Sequence, residues 1–117
     1  MKINSLTENH IFSRAYRKGT CAPGGYTVVY RLARGRGDGV RLGITVGKKL
    51  GGAVERNRAK RLIREAYYRI CKEYSLTDCV LVVVARSRTS AKTTKTDDVY
   101  KDLKKSLMKL GVIRVAT

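Results

Sequence analysis

Glu55-Arg-Asn-Arg-Ala-Lys-Arg-Leu-Ile-Arg-Glu65 decides how this chain folds and what it meets. At about 100° per residue the run forms an amphipathic helix. Ala59, Leu62, Ile63, Ala66 and Ile70 fall in one apolar stripe, while Asn57, Lys60, Arg61, Arg64 and Tyr68 lie on the opposite side. Ten Lys and Arg fall between Arg41 and Lys72, and within the quoted run only Glu55 and Glu65 oppose them. Like charges at i,i+4 repel, so the natural partner of this face is a polyanion, with phosphate the leading candidate.

Working outward, Val40, Leu42, Ile44 and Val46 alternate with Arg41, Gly43, Thr45 and Gly47, which predicts a strand before the helix. One of its faces is branched aliphatic. The other is small and polar enough for a ligand backbone to approach closely. Lys48-Lys-Leu-Gly-Gly52 links strand to helix, and the helix is expected to end near Lys72 to Tyr74. Cys79-Val-Leu-Val-Val-Val-Ala85 then reads as a strand buried on both faces. Towards the N-terminus, Tyr26 to Ala33 alternates as another strand, and the glycine-rich turn Arg34 to Gly39 is expected to close an antiparallel hairpin between it and Val40 to Val46. A first helix is predicted from Glu8 to Lys18, with Thr7 as N-cap, Gly19 as stop and Ile11, Phe12, Ala15 and Tyr16 as its apolar face. Cys21 to Gly25 and Arg86 to Lys95 read as loops. A last helix is expected after Thr96-Asp97-Asp98, with a seam of Val99, Leu103, Leu107 and Leu110 ending at Gly111. The order is α-β-β-α-β-α: an α+β fold in which three helices pack on a small mixed sheet, as a single domain over 1–117.

With 26 Lys and Arg against 9 Asp and Glu, the formal charge is +17, on a chain whose 43% apolar content is ordinary for a globular core. Such a charge collects polyanions, and nucleic acid is the first to consider. No stretch approaches the ~18 apolar residues of a membrane span, and the N-terminus lacks a secretory apolar core. Cys21, Cys71 and Cys79 make no CxxC pair, and His10 is the only histidine, so a zinc site is not expected and three reduced thiols in a cytoplasmic protein are. Catalytic groups are equally scarce. His10 has no evident nucleophile beside it, and Asp97, Asp98 and Asp102 are accounted for as helix-start carboxylates.

Arginine rather than lysine dominates the helix face, and guanidinium binds phosphate through paired hydrogen bonds and stacks on bases. Phe12 and Tyr16, an i,i+4 pair, together with Tyr30 in mid-strand, are either core or the lining of a groove for unpaired bases. Single-stranded RNA suits that chemistry better than a duplex, whose bases are already stacked.

Taken together, Leu42 to Tyr67 resembles the signature of the bacterial ribonuclease P protein subunit: an aliphatic strand ending in Lys48-Lys49, a Gly-x-Ala-Val link, and Arg-Asn-Arg-x-Lys-Arg-x-x-Arg from Arg56 to Arg64. Leu6 to Phe12, Tyr16, Gly19 and Thr20 fit the family's first helix. The resemblance implies partnership with a catalytic RNA subunit and removal of the 5′ leader from precursor tRNA, with magnesium on the RNA and no cofactor or catalytic residue in the protein. It implies that Lys48, Lys49, Arg56, Asn57, Arg58, Lys60, Arg61 and Arg64 face the catalytic RNA and that Phe12, Tyr16 and Tyr30 line a leader groove. It also implies a left-handed β-α-β crossover, where the general rule for such connections favours the right hand. Tyr16 stands where phenylalanine is expected and Gly47 where serine is frequent. The rival readings are a structural ribosomal RNA-binding protein and a basic protein of DNA or membrane surfaces. The extended motif opposes both, so neither DNA nor a membrane is an expected partner.

Overall fold

Cys79–Ala85 (β5) is the most apolar strand of the chain, and it occupies an interior position in a four-stranded sheet of order β1-β2-β5-β3. The computed structural model describes residues 8–33 and 39–114. Its elements are α1 (Asn9–Lys18), β1 (Thr20–Pro23), β2 (Thr27–Ala33), β3 (Val40–Thr45), a 3-10 turn (Lys48–Leu50), α2 (Ala53–Glu73), β4 (Ser75–Leu76), β5, the one-turn helix α3 (Ser87–Ser90), α4 (Thr96–Lys109) and β6 (Ile113–Arg114). The mixed α+β architecture matches expectation.

The expected hairpin between β2 and β3 does not form. β5 lies between them, antiparallel to β2 (Val29 opposite Val83) and parallel to β3 (Ile44 opposite Val83). The physical reason is already in the strand's composition. A run apolar on both faces would be a flat, sticky edge if it sat outside, and burial between two neighbours removes that edge. Residues 34–38 of the intervening turn, like Thr7, lie outside the described residues.

Alternation then sorts the strands by face. Val29, Leu42, Leu81 and Val83 join Leu62, Ile63, Ala66, Tyr67 and Ile70 of α2 and Val99, Leu103 and Leu107 of α4 in the main core. On the opposite face, Val80 and Val82 pack with Ala15, Ile11 and Phe12 of α1, beside Tyr30, Leu32 and Val84. The apolar stripe expected on α2 is therefore buried as a set, with Tyr67 added to it. The expected helix stop is also present: Gly111 takes φ +70 just past α4, a conformation open to glycine, and Val112 N–H donates to Leu107 O at 3.0 Å.

Two further readings are corrected, and one small ribbon is added to them. Part of the Cys21 to Gly25 loop is β1, an edge strand paired with β2 (Cys21 opposite Tyr30), and Pro23 is tolerated at its end because an edge needs fewer donors. The Arg86 to Lys95 loop contains α3. β4 and β6 form a small antiparallel ribbon, two residues each, too short to leave a periodic signal. At the start of α4, which begins at Thr96, Asp98 caps as expected by accepting from Lys95 N–H at 2.9 Å. Asp97 instead pairs with Arg69 at 2.5 Å.

Candidate nucleic-acid interface

The cationic half of α2 begins at Ala53, and its polar side faces solvent because the opposite stripe is consumed by the core. Asn57, Arg61 and Arg64 are exposed, while Arg56, Arg58 and Lys60 are half-buried. Lys48 and Lys49, both exposed, stand on the 3-10 turn just before the helix. Val54, Asn57, Arg58 and Arg61 line an open hollow of about 420 Å³. Val54 is 79% exposed, the most exposed large apolar side chain among the described residues. Among the described residues, the one carboxylate pairing within the expected set is Arg61 to Glu65 at 3.9 Å. An exposed i,i+4 pair of that kind is worth about 0.3–0.5 kcal/mol, so most of the positive charge on this face stays uncompensated.

Arg58 is the exception in that set. Its guanidinium donates to three carbonyls of the α3–α4 connection: Ala91 O at 2.9 Å, Lys92 O at 3.4 Å and Thr94 O at 2.5 Å. Three of its donors are thus committed inside the protein. Thr94 Oγ1 in turn donates to Arg88 O, and Thr89 Oγ1 to Tyr26 O, closing the connection onto the sheet.

A second surface lies across the sheet beside α1. Register places Cys21, Tyr30, Val82 and Gly43 in one row and Pro23, Val28, Val84 and Thr45 in the next. α1 covers the first row in part. Val28, Val84 and Thr45 remain half-buried at its margin. Tyr16, 42% exposed, meets Tyr30 edge-on with ring centroids 5.0 Å apart and an interplanar angle of 80°. Its hydroxyl lies 3.1 Å from Thr45 Oγ1. Burial and the neighbouring Cys21 push the Tyr30 phenol above its ordinary pKa, so it stays neutral. Phe12 is half-buried against Val80 and Val82. The three aromatics expected to share a groove therefore do share one sheet face, with Phe12 and Tyr30 half-buried and Tyr16 the exposed member. At the lower end of the face, Glu8 pairs with Arg41 at 2.9 Å, and that guanidinium holds the Glu8 carboxyl below the usual range.

The two surfaces meet at the end of β3. Thr45 touches Tyr16, and three residues later Lys48 opens the cationic turn. One continuous rim thus runs from an aromatic groove to a cationic helix. Burial pushes the Cys71 and Cys79 thiols up and keeps them protonated. No group of three or more potential metal ligands occurs among the described residues, and none of their helices is long and apolar enough to cross a membrane.

A family model described as Ribonuclease P matches residues 1–111. This chain belongs to the ribonuclease P protein family. A ribonuclease P protein component of Clostridium botulinum (strain Langeland) is 36% identical over 110 residues, covering 94% of this chain and 93% of that one. Another, from Bacillus pumilus, is 42% identical over 66 residues, 56% of each chain. Among solved structures, the RNase P protein of Staphylococcus aureus superposes with a TM-score of 0.81 at 33% identity, over 97% of this chain and 100% of that one. The Thermotoga maritima RNase P protein gives 0.76 at 30% identity, over 90% and 96%. The chain is thus a ribonuclease P protein component, part of an RNA-processing endoribonuclease that is a ribonucleoprotein.

Within this ribonuclease P protein, Asp102 is the residue that sequence reasoning misassigned. It is not a helix-start carboxylate. Nearly two turns into α4, it reaches across to the β1–β2 turn. Its Oδ1 accepts from Gly25 N–H at 2.9 Å, and Oδ2 accepts from Tyr26 N–H at 3.1 Å, Thr27 N–H at 3.0 Å and Thr27 Oγ1 at 3.1 Å. Gly24 is required beside it, because a Cβ there would stand 2.6 Å from Asp102 Oδ1. Arg86 donates to Gly24 O at 2.7 Å, and the Arg88 guanidinium lies 4.7 Å from the Tyr26 ring centroid. These contacts fix the turn from which β2 carries Val28 and Tyr30 into the groove. Nothing in the spacing of Asp102 along α4 announces them.

Proposed function

We propose that this protein binds the catalytic RNA of ribonuclease P through Lys48, Lys49, Arg56, Asn57, Lys60, Arg61 and Arg64, and receives the single-stranded 5′ leader of precursor tRNA in the groove of Phe12, Tyr16 and Tyr30. Arg58 joins the first set through the donors left over from its carbonyl contacts. The observation that carries the reading is the continuous rim between the two surfaces, which meet where Tyr16 touches Thr45. On such a rim two RNAs lie side by side while guanidinium groups screen their repulsion. Leader bases have exposed faces to stack on the aromatic edge, worth about 1–3 kcal/mol per base, and mature tRNA lacks them. Differential binding of substrate over product follows, with leader removal completing tRNA 5′-end maturation in the cytoplasm.

The chemistry belongs to the RNA. Magnesium held there supplies the activated water and charge stabilisation of a phosphodiester hydrolysis. The protein's own residues bind, orient and screen. Reconstitution with a bacterial ribonuclease P RNA at low magnesium tests the assignment. The protein is expected to lower KM for precursor more than it tightens mature tRNA, and Phe12→Ala to erode that preference while cleavage continues. Equal effects on precursor and mature tRNA would remove the groove from the mechanism.

A further inference from the structure

We propose that the second half of α2 carries a pocket around Tyr68, adjoining the cationic face at Arg64, that takes one unstacked base of a folded RNA together with its adjoining phosphate. The inference rests on the RNA-binding reading above and extends it along the helix, away from both the Arg-Asn-Arg turn and the aromatic groove.

Arg64, Glu65, Tyr68, Arg69 and Lys72 line an open hollow of about 390 Å³. Arg64, Tyr68 and Lys72 follow at i, i+4 and i+8, so they descend one helix face in successive turns. Lys72 Nζ lies 4.8 Å from the Tyr68 ring centroid, setting a cation against the ring. The other two lining residues are committed elsewhere. Glu65 Oε2 accepts from Thr96 Oγ1 at 2.8 Å. Arg69 is bound to Asp97 at 2.5 Å, lies 3.5 Å from Glu73, and stacks 4.0 Å from the Tyr100 centroid. Its charge is offset by the carboxylates of Asp97 and Glu73 at the surface. Arg64 and Lys72 form no ion pair among the described residues. The hollow thus presents two uncompensated cations on either side of a half-buried aromatic ring.

Tyr100 marks the contrast. It too sits among cations, but it is buried, so it serves packing. Tyr68 has the complementary chemistry for a nucleotide. A guanidinium pairs with phosphate through two hydrogen bonds, an ammonium adds a point charge, and a ring offers a stacking face. A base already stacked in a duplex has no free face to give it. A bulge or loop of the RNA does.

The chain contains no tryptophan, so Tyr68→Trp places one fluorophore at the site. Titration of the full-length variant with a bacterial ribonuclease P RNA is expected to quench its emission, and a fully paired RNA hairpin with the same number of phosphates is expected to leave it unchanged. Quenching by the hairpin to the same extent would overturn the stacked base. Saturable quenching by adenosine monophosphate alone would overturn the folded-RNA occupant in favour of a free nucleotide. In parallel, Tyr68→Ala is expected to weaken RNA binding about tenfold with the salt slope unchanged. Lys72→Ala should lower the slope by roughly one. If Tyr68→Ala binds like the parent while Arg61→Ala is weakened, the pocket falls and the wider reading survives. If the parent itself prefers the RNA no more than the hairpin, both fall.

Discussion

Asp102 and Arg58 each gather several long-range hydrogen bonds at the residue scale, and each serves a segment far from it in sequence. Asp102 gathers three backbone N–H groups and one hydroxyl of residues 25–27. Bonds to an ionised acceptor contribute about 1.5–3 kcal/mol each at most, and orphaned donors carry their own penalty. Asp102→Asn keeps the shape but turns one oxygen into a donor facing donors. It is expected to lose roughly 2–4 kcal/mol of stability in denaturant unfolding, with the turn signals of Gly25 to Thr27 shifting in NMR spectra. A loss under 0.5 kcal/mol would show that water replaces the carboxylate. Arg58 shows the opposite hazard. Its three carbonyl contacts mean that Arg58→Ala removes structure along with charge, so Arg61 and Arg64 are the cleaner probes of RNA binding.

At the scale of elements, two ion pairs tie helix termini to their neighbours: Glu8 before α1 to Arg41 of β3, and Asp97 of α4 to Arg69 of α2. The Arg69 guanidinium holds Asp97 below the usual carboxylate range, as Arg41 holds Glu8. The sign follows directly. A carboxylate whose folded pKa lies below its unfolded value, about 4.3 for Glu and 3.9 for Asp, stabilises the fold above that value. The contribution disappears as pH falls through the folded pKa. Glu8→Gln and Asp97→Asn should therefore be less stable than the parent at pH 7 and converge with it in strong acid. A gap that persists when both carboxylates are protonated would mean that shape, not charge, is what these residues supply. The Arg69–Asp97 pair is solvent-exposed, so its gap should shrink in high salt, whereas the half-buried Glu8–Arg41 pair should respond less.

Across the whole molecule, the sheet separates the two surfaces proposed to meet RNA. α1 and the aromatic groove occupy one face, and α2 with α4 occupies the other. Phe12 and Arg61 share no partner in either core cluster. The effects of Phe12→Ala and Arg61→Ala on precursor binding by the assembled enzyme are expected to add within about 0.5 kcal/mol, as independent sites do. Strong coupling between them in a double-mutant cycle would instead indicate that leader and catalytic RNA are held by a single shared contact network.

Much of this was legible from residue order, because the forces concerned act over a few positions. Helical spacing put Ala59, Leu62, Ile63, Ala66 and Ile70 together in the core and left Arg61 and Arg64 outside it. Period-two alternation assigned the aliphatic face of β3, and the unbroken Cys79 to Ala85 run announced a strand covered on both sides. The motif from Leu42 to Tyr67 carried the family. Tertiary structure alone decided which strands are neighbours, for sheet order is a competition among all strands for the least exposed position, and β5 won it by displacing a hairpin that local turn chemistry favoured. It alone set Asp102 on the β1–β2 turn and Arg58 on the α3–α4 carbonyls, since a side chain's partner across 33 to 77 residues depends on how helices dock rather than on anything within a turn of it. The joining of groove and cationic helix into one rim is of the same kind: it exists because β3 delivers Thr45 to Tyr16 and Lys48 to α2 within four residues.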